Sequence, residues 1–450
     1  YLKLNILLLM TMKRIILYLS FILLFLKGAF SMDLSNIIST INSNRVDFSL
    51  KNGLKVVILN LPAESVNILL GIESGVLDEE KEGVANLTAE ALLFKNKKHG
   101  FMGIVNSIES IGGSIDSSAS YDFSTISAKC LSSDIYEVLD KILDTIIYFE
   151  VDDNVLNLIK PQIIASVKVR EDDPWELAKK VFLKEIYGDH PYGRDIEGSI
   201  ENIDKVQTKD IENFFNSFYT PDNGVLIIVG GVELEKVKRY VEEKFSQWNG
   251  KKKSIQKQFN FNLNPKKEII VKKNLKQSTI RIGHISTNIR DENRIKLRIL
   301  NFILGGSGFG SRLMDKIREK EGLAYGVFSN FYIDRKLNGY FFVGTQTENK
   351  NTKKVIEIFT NEINELINKG ITEKELDDAK NYFLGALPLS IESFSSIATS
   401  ILYEKVYNLE RNFFIKDIEK VSVIKKEEID KVTKEYIKPE NFTFTVVGGD

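Results

Sequence analysis

One cysteine in 450 residues excludes an internal disulfide framework. Cys130 stands in the alternating stretch STISAKCL, the pattern of a half-buried strand, and reads as a small apolar core residue rather than a catalytic thiol. Histidine is almost as scarce. His99, His190 and His284 lie far apart, and none has a second His or Cys nearby at ligand spacing. A charge excess is missing as well: 61 Lys and Arg face 62 Asp and Glu, for a formal net charge of −1. That balance gives no electrostatic reason to expect a nucleic-acid partner or an anionic membrane surface. Partners have to be argued from sites.

The chain is too long for one compact core, and its length suggests two or three domains. From Met12 it reads MKRIILYLSFILLFLKGAFSMD: Lys13 and Arg14, an apolar run from Ile15 to Leu26, then Ala29-Phe30-Ser31 as a small-x-small cleavage site. This is the pattern of a secretory signal peptide. The run of 12 residues falls short of the roughly 20 needed to span a bilayer. The expectation is an exported protein, periplasmic or otherwise extracytoplasmic, that touches the membrane only if the signal sequence stays uncleaved. Residues 1–31 are excluded from the fold, with 1–11, which begin on Tyr, expected to be an upstream extension of the reading frame.

The remainder repeats itself. DIENFFNSFYTPDNGVLIIVGG, from Asp210, is echoed by EIDKVTKEYIKPENFTFTVVGG, from Glu428, at a constant offset that places Pro221 on Pro439 and Gly230-Gly231 on Gly448-Gly449. A register kept across a helix, a turn and a strand indicates two copies of one domain. The Lys-rich stretch NGKKKSIQKQFNFNLNPKK, without helical periodicity, reads as the linker. The boundaries that follow are 32–249, a linker at 250–267, and 268–450.

Each copy mixes elements in an α+β manner. In copy one the spacing predicts a hairpin turned at Asn52-Gly53, a strand in SVNILLGIES, helices near 84–95 and 101–111, a hairpin across 114–130 and a helix after Ser133 and Asp134. In copy two it predicts strands at about 267–286, a helix at 290–303, a hairpin across 325–346 turned near Leu337-Asn338-Gly339, and long helices afterwards. Strands meeting as hairpins with helices grouped between them point to antiparallel sheets, each covered on one face by helices.

The most distinctive segment is ILGGSGFGSRLMDKIREKEGLAYGVFS, Ile303 to Ser329. As a phosphate loop it fails: the glycine spacing is wrong, it follows a helix, and no Gly-Lys-Ser/Thr is present. Leu304-Gly305-Gly306, Ser311-Arg312-Leu313, Arg318-Glu319-Lys320 and Gly322-Leu323-Ala324-Tyr325 together closely resemble the C-terminal domain of the pitrilysin or insulinase family of zinc peptidases. GIESGVLDEEKEGVANLTAEALLFKNKKHG resembles that family's N-terminal stretch, so the likeness covers nearly all of the mature chain. It implies two homologous lobes forming a clam-like cavity.

In that family a helix beginning Gly-x-Ala carries H-x-x-E-H. The two His bind zinc and the Glu acts as general base, with a further Glu ligand on a later helix. Here Gly83 and Ala85 are in place, but the first His position is Asn86, the Glu is Ala89, the second His is Glu90, and the distant Glu falls at Ser166, or at Ala165 if the register slips by one. These residues form no zinc site, and a replacement from Glu90, Glu171 and His99 has no spacing argument. No cofactor is expected in this chain. Asn86 and Glu90 read as an exposed or hydrogen-bonded remnant on a helix kept for its apolar side, Leu87, Leu92 and Leu93.

The family's arginine–tyrosine pair stands intact as Arg318 and Tyr325. In the heterodimeric, processing-peptidase-like branch one subunit holds the zinc motif, and the other supplies this pair to the peptide substrate. The resemblance therefore implies a non-catalytic, substrate-binding subunit of an exported heterodimeric zinc metallopeptidase, with zinc in a homologous partner. The alternative is a stand-alone inactive homologue serving as a peptide-binding or scaffold protein.

Overall fold

A computed structural model of the chain describes residues 34–254, 267–390 and 393–449. The expected signal peptide and most of the expected linker, 255–266, lie outside the described residues. Leu34–Ser43 is a helix and belongs to a small unit of its own; residues 45–450 form a second, compact unit.

Within that unit lie two sheets. Copy one supplies β1 (Arg45–Ser49), β2 (Lys55–Asn60), β3 (Ser65–Ile72), a two-residue pair β4 (Lys95–Asn96) and β5 (Gly100–Phe101), then β6 (Ser114–Ala119), β7 (Ser124–Leu131) and β8 (Gly224–Gly230). Copy two supplies β9 (Lys267–Val271), β10 (Gln277–Ile285), β11 (Ala324–Tyr332), β12 (Tyr340–Glu348) and β13 (Thr443–Val447). The orders are β1-β2-β8-β3-β7-β6 and β11-β12-β10-β13-β9. Both sheets are antiparallel except for one parallel pair each, β2 with β8 and β9 with β13. In each copy the last strand inserts between two early strands, β8 between β2 and β3 and β13 between β9 and β10, which a hairpin reading of local sequence does not reveal.

Strand register makes the duplication concrete. Gly71 lies opposite Val225, as Gly283 lies opposite Thr443. Across the sheets Ser118 corresponds to Asn330 through the shared partners Thr125 and Phe342. The offset is 212 residues at both Gly71/Gly283 and Ser118/Asn330, and 218 at Val225/Thr443. The difference arises largely in the turn between β11 and β12, Ile333–Gly339, which is longer than Ser120–Phe123 in copy one. The expected helices are shorter than their periodicity suggested. Val84–Ala91 stops where the chain enters the β4–β5 pair, and Gly103–Ser110 begins after Met102, whose φ is 54°.

One face of each sheet packs on its own copy's helices, and the other is closed by a helix from the opposite copy. Pro174–Tyr187 lies on β10 and β13, and Phe394–Val406 lies on β3 and β8. A Cβ at Gly71 would stand 2.2 Å from Leu402 Cδ1, so glycine is what lets the second helix seat. Phe182 meets Tyr340 edge-on at 5.8 Å, and the Arg281 guanidinium lies 4.3 Å from the Trp175 ring and 4.5 Å from that of Phe342. Asp122, buried in the β6–β7 turn, accepts hydrogen bonds from Tyr192 Oη (2.6 Å), Tyr407 Oη (2.8 Å) and the Lys336 backbone N–H (2.9 Å). The longer turn of copy two thus anchors on copy one, and Arg335 stacks over Tyr121 and Tyr192 beside it. Aromatic surface buried across both seams joins the two lobes within one compact unit. Where the copies meet at the ends of β10 and β12, Pro174, Gln277, Thr279, Gln346, Glu348 and Lys350 line a cavity of about 660 Å³.

Candidate functional site

The helix Val84–Ala91 is almost wholly internal, with Ala85, Leu87, Thr88, Ala89 and Ala91 fully buried. Leu92 is buried beside them, and Leu93 packs on the same core. Asn86 is buried too, so of the two readings, exposed or hydrogen-bonded, exposure does not hold for it. The helix itself packs against the helices Asp153–Asp172 and Thr208–Phe218 and against β6. Glu90 alone reaches solvent. Partial burial of its carboxyl, reinforced by Asp116 and Glu197, holds it above the usual carboxylate range. Ser117 Oγ donates to the Ala89 carbonyl at 2.5 Å, and Ser166 and Ala165 are exposed on the long helix.

These residues do not fit a zinc ion. Asn86 is a poor ligand, Ala89 offers no base, and one carboxylate is insufficient. The other groups weighed for a replacement are engaged elsewhere: His99 Nε2 contacts Asp144 Oδ2 at 2.7 Å, and Glu171 accepts from Lys180 Nζ at 2.5 Å. Among the described residues no group of three or more His, Cys, Asp or Glu gathers where it could hold a metal.

A buried carboxyl escaped the sequence reading. Glu79 accepts from the Ala85 backbone N–H at 3.1 Å, at the start of the helix. Burial pushes it up to about 8, although the Ala85 and Gly83 backbone hydrogen bonds and Arg194 pull the other way. An acidic residue just before an N-terminus is the only sequence signal for it.

Copy two presents the Arg–Tyr pair differently. The chain runs from the helix Arg294–Asn301 through a π-helical turn, Phe302–Gly306, a glycine-rich bend, and a second π-helical stretch, Asp315–Lys320, into β11. Such turns shift side-chain direction by one residue and are frequent at functional sites. Gly305 is required by close packing, because a Cβ there would come within 2.9 Å of the Ser329 backbone nitrogen. Arg318 lies against two rings, its Cζ 4.5 Å from the centroid of Phe309 and 4.8 Å from that of Tyr325. Tyr325 is 87% exposed and Phe309 68%. The structure therefore brings Arg318 and Tyr325 together, as their spacing implied, on the lobe opposite to Asn86, Ala89, Glu90 and Ser166. Phe309 went unnoticed in the sequence, although a lone aromatic in a Gly/Ser run has little chance of burial.

Comparison with known proteins agrees with this division. Residues 55–199 match the family model Insulinase (Peptidase family M16), and residues 205–383 match Peptidase M16 inactive domain. The two spans meet before β8, so the first sheet takes a central strand from beyond the first match. A protein of Helicobacter pylori described as "Non-peptidase homolog YmxG" is 27% identical over 395 residues, covering 86% of this chain and 89% of its own. One of Bacillus subtilis, "Uncharacterized zinc protease YmxG", is 27% identical over 355 residues, covering 78% and 85%. Among solved structures, a peptidase M16 inactive domain from Pseudomonas fluorescens superposes with a TM-score of 0.83 at 22% identity, covering 90% of this chain and 98% of its own. A protease from Helicobacter pylori gives 0.82 at 20%, covering 90% and 99%. With both domain models matched in order, and the zinc-motif positions held by Asn86, Ala89, Glu90 and Ser166, the chain belongs to the M16 insulinase family as a homologue that lacks the motif.

Proposed function

We propose that this chain is the zinc-free, substrate-binding subunit of an exported two-subunit M16 metallopeptidase acting on peptides or unfolded segments. Its partner is a homologous chain with an intact H-x-x-E-H helix, which brings the metal. The observation that carries the reading is the exposure of Tyr325 beside a half-buried Arg318. A tyrosine at a strand start is usually packed, and an arginine near a helix end is usually explained by the dipole or an ion pair, yet Tyr325 projects into solvent and Arg318 rests on aromatic faces. Such side chains add little to stability and are placed to meet something outside this chain.

In the assembled enzyme Tyr325 donates a hydrogen bond to the carbonyl oxygen that gains charge as the peptide bond is attacked. Arg318 holds the substrate by parallel hydrogen bonds. Alone, the chain hydrolyses no peptide and holds no stoichiometric zinc. The test is steady-state kinetics of the reconstituted complex, with subunit association measured separately. Tyr325→Phe is expected to lower kcat by on the order of 10²–10³, the usual effect of removing one such donor. Arg318→Ala is expected to raise KM as well, and Arg318→Lys to restore part of the loss. A change within about twofold in both constants for Tyr325→Phe would make the pair structural and favour a stand-alone scaffold.

A further inference from the structure

The cations around Arg318 reveal what sets it apart. Arg294 pairs with Asp417, Lys296 with Glu428, Arg298 with Asp334, Arg312 with Glu375 in a two-bond fork, Lys316 with Glu365, and Lys320 with Asp315. Between Arg294 and Lys320 only Arg318 has no carboxylate and no hydrogen-bond acceptor among the described residues; its neighbours are the Phe309 and Tyr325 rings. Stacking occupies the faces of a guanidinium and leaves its edge, where the N–H donors lie, available. That edge matches a carboxylate, which accepts two parallel N–H bonds, better than a single carbonyl oxygen.

From this geometry we infer that Phe309, Arg318 and Tyr325 form a receptor for a peptide carboxylate, with Phe309 as a positioning residue that fixes the guanidinium plane. The inference rests on the peptide-binding reading above and narrows it: the preferred substrate carries a carboxylate, either its own C-terminus or an acidic side chain, in the segment this subunit holds. The aromatic rings complete the receptor by giving the aliphatic part of that residue an apolar wall on either side of the charge. Phe309, in the glycine-rich bend, lies against Arg318 although the two stand nine positions apart in sequence.

The experiment is fluorescence-anisotropy binding to the full chain of three labelled forms of one unstructured peptide ending in phenylalanine: the free acid, the C-terminal amide, and the amide with one internal glutamate. The inference expects at least one carboxylate form to bind about tenfold more tightly than the plain amide, the range of a charge-assisted hydrogen bond. Preference for the free acid assigns the C-terminus, and preference for the glutamate form assigns the side chain. Phe309→Ala is expected to remove most of that preference, Phe309→Tyr to retain it, and Arg318→Leu to abolish it, so that the three peptides bind alike. Circular dichroism on each variant establishes that the fold is kept. Equal binding of all three peptides, or a preference untouched by Phe309→Ala, overturns the carboxylate receptor while leaving a peptide-binding subunit standing. Failure of all three peptides to bind overturns both.

Discussion

By register, the segment between Val84–Ala91 and β6 in copy one is the counterpart of that between Arg294–Asn301 and β11 in copy two, and the two have diverged in opposite directions. In copy one Lys95 is tied to Asp152, and Lys98 and His99 to Asp144. The helix carrying the former zinc-motif positions is sealed into the core. In copy two the matching stretch is a glycine-rich bend that leaves two aromatic rings in the open beside a half-buried arginine. The same fold position can therefore be kept for packing or for recognition. Burial tells them apart: Asn86 and Ala89 lie in the core, whereas Tyr325 is 87% exposed, open to the recognition proposed above.

The largest effect expected comes from the seam that joins the copies. Phe182 is fully buried against Tyr340, so Phe182→Ala should cost about 3–5 kcal/mol. Both sheets should unfold together in one denaturant transition; two separated transitions, with only one shifted, would show that the copies stand apart. Next is Asp122→Asn. It replaces a carboxylate serving two tyrosine hydroxyls and a backbone N–H, and should lower stability by about 1.5–3 kcal/mol.

A third prediction concerns pH and isolates copy one. Because Glu79 has its folded-state value raised to about 8 from the unfolded value near 4.3, the folded chain holds this proton more tightly. Its stabilisation is complete below the unfolded value and is lost as pH rises through about 8. Glu79→Gln keeps an acceptor for Ala85 N–H and should flatten the decline in thermal midpoint over that window; an unchanged decline would mean another group is responsible. The smallest effect is the most discriminating. Tyr325→Phe should change unfolding free energy by no more than about 0.5 kcal/mol, as for other exposed sites, although it is expected to impair the assembled enzyme severely. A stability loss well beyond that would place Tyr325 with the packed residues of copy one and remove the contrast.

Much of this was legible in the sequence, for physical reasons that can be named. The Pro221/Pro439 and Gly-Gly repeats fix a helix, a turn and a strand, and those elements lie at matching places in both sheets. The Asn52-Gly53 turn and the alternation around Cys130 specify hairpins locally. What could not be read was ownership. Apolar periodicity in Pro174–Tyr187 and Phe394–Val406 shows that a face must be covered, but not that each covers the other copy's sheet. Between an exposed and a buried Asn86 the sequence does not choose, because a polar residue at helical spacing looks the same whether it meets solvent or the core. Phe309 was missed because an aromatic in a glycine-rich run has no periodicity to assign it.

The central claim is that this chain contributes substrate binding, and no metal, to an enzyme completed by a homologue. The measurement that tests it most directly is purification of the native protein from its source, with the bound chains identified by mass spectrometry and zinc counted per complex. The account predicts an equimolar M16 chain with an intact H-x-x-E-H motif, one zinc per pair, peptidase activity in the pair, and neither zinc nor activity in this chain once separated. Stoichiometric zinc on the isolated chain, or a native protein that carries no such partner, would contradict it.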